Sequence, residues 1–235
     1  MNLIGLVGFI GSGKGTVGEC LVTNGYHHDS FAAPIKDAAS SIFGWNRALL
    51  EGDTDASRTW REQPDVFWSK QFDRTFTPRE ALQKLGTEAG RNVFHADLWV
   101  SSLLRRTQGK NTVVTDVRFK NEIVAIQKAG GLVVRVKRGS EPSWYSVAQL
   151  ANSGDPQALL AMEQSSIHRS EWDWIGCEVD YTLDNSGTLE ALSKEINTFL
   201  NDVLPCHEVA RLHEVVRLHE VVRLHDRVEH HSKTC

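Results

Sequence analysis

The sequence predicts an α/β fold: a parallel, doubly wound sheet with helices on both faces. Three observations carry that expectation. Leu3–Val7 is a short apolar run with branched members, as a strand buried on both faces requires, and it leads into a glycine-rich turn. Four further strand-like runs alternate with helical patterns, and such alternation implies parallel strands joined by right-handed crossovers. With 235 residues, 40% of them hydrophobic and 24% charged, the chain can bury a full core around one sheet of this kind.

Taken in order, the glycine turn is followed by a predicted helix, Lys14–Thr23, stopped near Asn24-Gly25. Residues 26–31 form the second strand. Ala33-Pro34 then opens a helix with proline in its first turn, running through Ile35, Ala38, Ala39 and Ile42. Residues 44–77 are charged and carry Trp45, Trp60 and Trp68 without a clean period; short helices and loops covering a substrate cleft are expected, with the tryptophans as packing residues first. Thr77-Pro78-Arg79-Glu80 spells a capped helix start, and that helix turns Ala81, Leu82, Leu85 and Ala89 inward. Residues 95–104 give a further helix. The third strand, N-T-V-V-T-D, spans residues 111–116 and is followed by a helix over 119–128. Gly130-Gly131 ends that helix, and residues 132–136 make the fourth strand. Residues 178–183 are the fifth, before a last helix reaching about Leu204.

From Pro205 the chain changes character: a six-residue unit of the form Glu-Val-Ala/Val-Arg-Leu-His recurs three times over residues 208–225. Six residues advance a helix by about 240°, so an apolar face would wind around the rod instead of forming a stripe. Histidines six apart do not share a helical face either. Residues 205–235 therefore read as an expanded coding repeat, giving a frayed helix or disordered tail in preference to a metal or partner site. The net charge of −4 does not support nucleic-acid binding. Four scattered cysteines without metal spacing suit a reducing, cytoplasmic compartment. No run approaches the ~20 apolar residues of a membrane span, and the first apolar run is too short for a signal peptide.

The chemistry begins in the glycine turn. Gly8 to Lys14, G-F-I-G-S-G-K, fits G-x-x-x-x-G-K, with the usual hydroxyl one place late: Gly15 intervenes before Thr16. Glycines let consecutive amides turn inward around phosphate oxygens, Lys14 adds a cation for the β- and γ-phosphates, and the next helix presents its positive end. Thr16 can place a hydroxyl on Mg²⁺. The pattern predicts a nucleoside triphosphate site on Gly11, Ser12, Gly13, Lys14, Gly15 and Thr16, which makes the expected fold a three-layer P-loop type.

Two later blocks bear on the acceptor. In R-E-A-L-Q-K-L-G-T-E-A-G-R, Arg79, Gln83 and Gly86 share one helical face with Thr87 beside it, and Arg91 and Trp99 follow. A guanidinium, an amide, a bare backbone and a hydroxyl suit a nucleotide acceptor, though a solvated face with incidental polar residues would look the same. In D-V-R-F-K-N-E, Asp116 ends a predicted strand at the carboxyl edge of the sheet, where open α/β sheets bind ligands. It can hold Mg²⁺ through water or accept a substrate hydrogen bond. Arg118 can hold the transferred phosphate, and Glu122, one turn on, can fix that guanidinium. A structural Asp–Arg pair is the alternative.

The combination G-S-G-K-G-T, F-A-A-P-I-K, L-Q-K-L-G-T-E-A-G-R, W-V, T-D-V-R-F-K-N-E and H-R-S-E resembles the bacteriophage deoxynucleoside monophosphate kinases, with the P-loop nucleoside monophosphate kinase fold. The resemblance covers residues 1 to about 204 discontinuously. It implies ATP and Mg²⁺ as cofactors, a five-stranded parallel sheet, a substrate cover near residues 44–77 and a lid near 139–177. It further implies Ser12, Lys14 and Thr16 at the ATP phosphates and Mg²⁺, with Asn185 bordering adenine. Lys36, Arg79, Gln83, Gly86, Thr87, Arg91 and Trp99 would surround the deoxynucleotide. Lys14, Asp116, Arg118 and Glu122 would act at the transfer centre, Asp116 with Thr16 as metal ligand, and Arg169 would close from the lid. The phage enzymes often carry Asp after the loop lysine, where this chain has Gly15. Small nucleotides are the expected partners, with no nucleic acid or membrane, and a homodimer is left open. Two alternatives stand beside it: a P-loop kinase for another small acceptor, such as dephospho-coenzyme A, which shares the loop without a clear L-G-T-E-A-G-R counterpart, and a nucleotide-gated binding protein with slow hydrolysis, whose partner element would be the histidine-rich tail.

Overall fold

The computed structural model of the chain describes residues 2–205, so the six-residue repeats lie outside the described residues. Five parallel strands, β1 (Leu3–Val7), β2 (His27–Asp29), β3 (Thr112–Val114), β4 (Leu132–Lys137) and β5 (Tyr181–Asp184), form one sheet in the order β2-β3-β1-β4-β5. Ile4 of β1 stands between Val113 of β3 and Leu132 of β4, which places the first strand at the centre. The expected doubly wound parallel sheet is present.

Alternation along the strands sorts the core into two layers. Ile4, Leu6, Val113, Val134 and Val136 pack on one face against Val17 and Leu21 of α1 (Lys14–Thr23) and against a late helix described below. Val7, Val114 and Val133 point to the other face, where Ile123 and Ile126 of a later helix pack. Between these points the chain forms α2 (Ala33–Phe43), α3 (Asp55–Glu62), α4 (Val66–Gln71), α5 (Pro78–Gln83), α6 (Leu98–Thr107) and α7 (Lys120–Lys128). The second half adds α8 (Tyr145–Asn152) and α9 (Pro156–Gln164), on the α7 face, and α10 (Leu189–Thr198), which brings Leu192 and Ile196 to the α1 face.

The tryptophan-bearing segment makes a third, smaller core. Trp45 stacks on Phe43 at 4.5 Å and donates its indole N–H to Asp65 (2.8 Å), while Trp68 donates to the Phe43 carbonyl (3.0 Å). These tryptophans pack, as their sequence suggests. Thr77 caps α5 by accepting the Glu80 amide at 3.2 Å, but Glu80 turns its carboxylate to Arg74 and does not complete a capping box.

Two features differ from the periodic reading. Beyond α5 the helix continues over Lys84–Phe94 with a widened, π-type turn, and α6 starts only at Leu98. The cause comes from the next helix: Trp99 donates its indole N–H to the Gly86 carbonyl (2.7 Å), and its ring stands 2.4 Å from where a Cβ on Gly90 would be. Only glycine admits the ring there, and glycines also lower the cost of leaving the α form. The last helix widens in the same way over Phe199–Val203.

Candidate active site

The turn between β1 and α1 is held from behind. Asn185, buried just past β5, donates its side-chain amide to the Ser12 carbonyl at 2.9 Å. A Cβ on Gly13 (φ 98°) would stand 2.2 Å from that amide nitrogen, so both the left-handed backbone and the contact demand glycine. From the other side, Phe9 packs edge-on against Trp144 (5.5 Å) and Trp174 (5.0 Å). Ser12 is buried, and its hydroxyl has no hydrogen-bond partner among the described residues. Gly11, Gly15 and Thr16 are exposed at the mouth of the turn.

Lys14 folds over the loop and donates to the carbonyls of Gly8 (2.7 Å) and Phe9 (2.9 Å). An ammonium has three protons, so one remains for an anion. Burial, with Arg118 nearby as a like charge, brings its pKa down to about 8, against the opposing pull of Glu171. Arg118 and Gly15 of the turn line one cleft, and Arg118 pairs there with Glu171.

A cleft of about 1050 Å³ opens beside this point. One wall is a single face of α1: Gly15, Gly18, Glu19, Val22 and Thr23, a span of roughly 12 Å at 1.5 Å per residue. The floor is the strand ends, with Ser30, Thr115, Asp116 and Arg118. Across the opening stand Lys36, Glu51, Gly52, Asp53 and Arg61.

The charges in the cleft are unequally matched. Lys36 pairs with Glu51 at 2.5 Å, and Glu51 also holds Arg47. Arg118 pairs with Glu171 at 3.1 Å. Arg61 forms no ion pair among the described residues; its guanidinium lies over Gly52, its buried Nε lacks a partner, and burial together with Arg79 lowers its pKa. Sequence reading missed Arg61, which sits in a charged segment with no period to single it out.

Several expected residues stand elsewhere or do something else. Asp116 lies in the cleft, but both carboxylate oxygens accept backbone amides at the start of α2, Phe31 (3.0 Å) and Ala32 (3.2 Å); burial raises its pKa. Glu122 does not hold the Arg118 guanidinium. Its carboxylate accepts the amides of Arg118 (2.8 Å) and Phe119 (3.1 Å) and the Arg91 guanidinium (3.3 Å), capping α7. Arg79 pairs with Glu62 at 2.9 Å, Gln83 and Thr87 are exposed, Gly86 packs against Ile35, and Trp99 is bound to the widened helix. None of Arg79, Gln83, Gly86, Thr87, Arg91 and Trp99 lines the cleft: α5 and its extension pack one face on α2, α3 and α6 and turn Arg79, Gln83 and Thr87 outward. Arg169 faces Asp173 (2.8 Å) and lies over the Trp172 ring; from that segment it is Glu171 that reaches the centre.

Among relatives, a protein of Acanthamoeba polyphaga mimivirus named as a deoxynucleotide monophosphate kinase is 34% identical over 155 residues, covering 59% of this chain and 75% of the relative. The chain belongs to the deoxynucleotide monophosphate kinase family. A second member, the deoxynucleoside-5′-monophosphate kinase of Escherichia phage T5, is 26% identical over 174 residues, covering 51% of this chain and 69% of the phage protein. No family model matches the kinase. Among solved structures, a dephospho-CoA kinase from Campylobacter jejuni aligns at a TM-score of 0.43 and 17% identity, over 86% of this chain and 97% of that one. TT1252 from Thermus thermophilus aligns at 0.42 and 22%, over 85% and 96%. Scores this low leave the fold assignment to the strand order itself. Among the described residues, no helix of the kinase is long and apolar enough to cross a membrane, and no cluster of three His, Cys, Asp or Glu side chains is placed to hold a metal.

Proposed function

We propose that the chain transfers the γ-phosphoryl group of ATP to the 5′-phosphate of a deoxynucleoside monophosphate, giving the diphosphate and ADP. The observation that carries this reading is the cleft that opens at Gly15, between the glycine turn and the Asp116–Arg118 strand end. ATP phosphates would lie in the amides of residues 11–16 under Lys14. The acceptor would lie along α1 with its phosphate toward Arg118 and Lys36 and its nucleoside toward Gly52 and Arg61.

A 5′-phosphate is already an adequate nucleophile, so no strong general base is needed. Catalysis then consists of holding two anions in line and offsetting the charge on the phosphoryl in flight. Lys14 and Arg118 do so at the junction. Asp116 fixes the start of α2 and so the position of Lys36. Mg²⁺ suits this site on the donor set: it takes few protein oxygens when phosphates and water supply the rest, and the exposed Thr16 hydroxyl is available. Thr16 would hold it, with Asp116 behind water, and its contribution is neutralisation of phosphate charge. Arg61, a cation with no ion pair among the described residues, would take part of the acceptor; Arg61→Ala should raise KM for the monophosphate more than it lowers kcat.

The test is a steady-state assay with ATP across the four common deoxynucleoside monophosphates and their ribonucleotide counterparts. Turnover of at least one deoxynucleotide is expected. If ATP binds and none is phosphorylated, the proposal is wrong.

A further inference from the structure

The arginine at the transfer centre needs a means of being aimed. Arg118 follows β3 on a connecting loop, and its side chain is 45% exposed. The carboxylate one turn away, Glu122, is fully engaged by backbone amides and Arg91. Among the described residues the Arg118 guanidinium has one carboxylate partner, Glu171, at 3.1 Å.

The backbone that carries Glu171 is held on several sides. It belongs to a short turn, Arg169–Glu171, whose start is capped by His168 accepting the Ser170 amide at 3.2 Å. Its carbonyl accepts the indole N–H of Trp174 at 3.0 Å, and the same Trp174 ring packs against Phe9 of the glycine turn. The Trp172 beside it is buried, with its carbonyl accepting the Asn152 amide (2.7 Å). Two residues on, Asp173 accepts the Lys120 amide at 2.9 Å, the first residue of the helix that Arg118 precedes. One turn is thus fastened to the phosphate loop on one side and to the Arg118 strand end on the other.

We infer that Glu171 is a positioning residue for phosphoryl transfer, which holds the Arg118 guanidinium in register with the glycine turn. An arginine offers five N–H groups in a planar fork, so Glu171 can keep Nη1 while the other edge stays free for phosphate oxygens. The pair is partly exposed, so its contribution to stability is small; what it supplies is orientation. The lid segment then acts on the reaction through a carboxylate, and the neighbouring Arg169 is not required at the centre.

This inference rests on the kinase reading, and the experiment separates the two. Steady-state constants are measured for the full chain and for Glu171→Ala, Glu171→Gln, Arg118→Ala and the double variant Glu171→Ala/Arg118→Ala, with melting temperature and ATP binding alongside. Misplacing a reacting group costs on the order of 10² in rate, so Glu171→Ala should lose about that in kcat while both KM values hold. Glu171→Gln, which keeps an acceptor oxygen of the same reach, should lose less. Arg118→Ala should lose on the order of 10³. Adding Glu171→Ala to Arg118→Ala should cost nothing further, because the residue it positions is already gone. Additive losses, an unchanged or raised kcat in Glu171→Ala, or a loss matched by lower melting temperature or ATP binding overturns the inference alone. No deoxynucleotide turnover by the unaltered chain overturns both.

Discussion

Burial sets the chemistry of two ionisable residues near the centre, in opposite directions. Lys14 is brought to about pH 8 by burial and by Arg118, so above that value the empty site loses its cation, whereas bound phosphate favours the charged form. The dissociation constant of ATP should be flat between about pH 7, where the terminal phosphate is ionised, and pH 8, and rise by up to roughly tenfold per unit above it, as titration calorimetry would register. Glu122 is pushed up from 4.5 to about 7 by burial, against two amide donors and Arg91. Its folded-state pKa is the higher one, so the folded chain holds the extra proton between those values. The contribution of this group to stability is therefore fully present below pH 4.5 and is lost as pH rises through 7, by up to about 3 kcal/mol. In Glu122→Gln that slope should flatten, measured as urea midpoints at pH 5 and pH 8. Neither shift is legible in the sequence, because the spacing that put Glu122 one turn from Arg118 says nothing about which donors burial brings to it.

At the scale of elements, local signals located most starts and few uses. Thr77-Pro78 marks the beginning of α5, and Gly44 the end of α2, because caps are written within a few residues. The widening over Lys84–Phe94 is not local: it depends on Trp99 reaching back to the Gly86 carbonyl and lying against Gly90. In Gly90→Ala the new methyl would meet the indole at 2.4 Å, and a flat ring between two helices cannot give way cheaply. A loss of about 1–3 kcal/mol is expected, seen as a lower urea midpoint with an unchanged slope. Gly86 is taken up by this packing, whereas Arg79, Gln83 and Thr87, whose polarity suggested substrate contacts, face outward.

Across the whole molecule, the sheet order puts β1 in the middle, so the turn that follows it meets the ends of β3 and β4–β5 on either side. That is why residues as distant as Phe9, Arg118, Glu171 and Asn185 converge. The two apolar layers close within the described residues, the α1 layer ending with Phe199 and Leu204. Removal of residues 206–235 should therefore leave phosphoryl transfer and the melting temperature unchanged; a loss of either would assign the repeats a part in the enzyme.

The sequence by itself determined the sheet, its parallel strands, the glycine turn with its lysine, and the family. Those features are periodic or contiguous, so short-range sterics and hydrophobic spacing express them without reference to the rest of the chain. Which charged groups share a cleft, which arginine in it has no ion pair among the described residues, and which carboxylate faces Arg118 were decided only by tertiary structure. Each depends on side chains far apart in the chain competing for the same few donors, and the outcome follows from what the packing of α2, α5 and the Trp172–Trp174 turn leaves free.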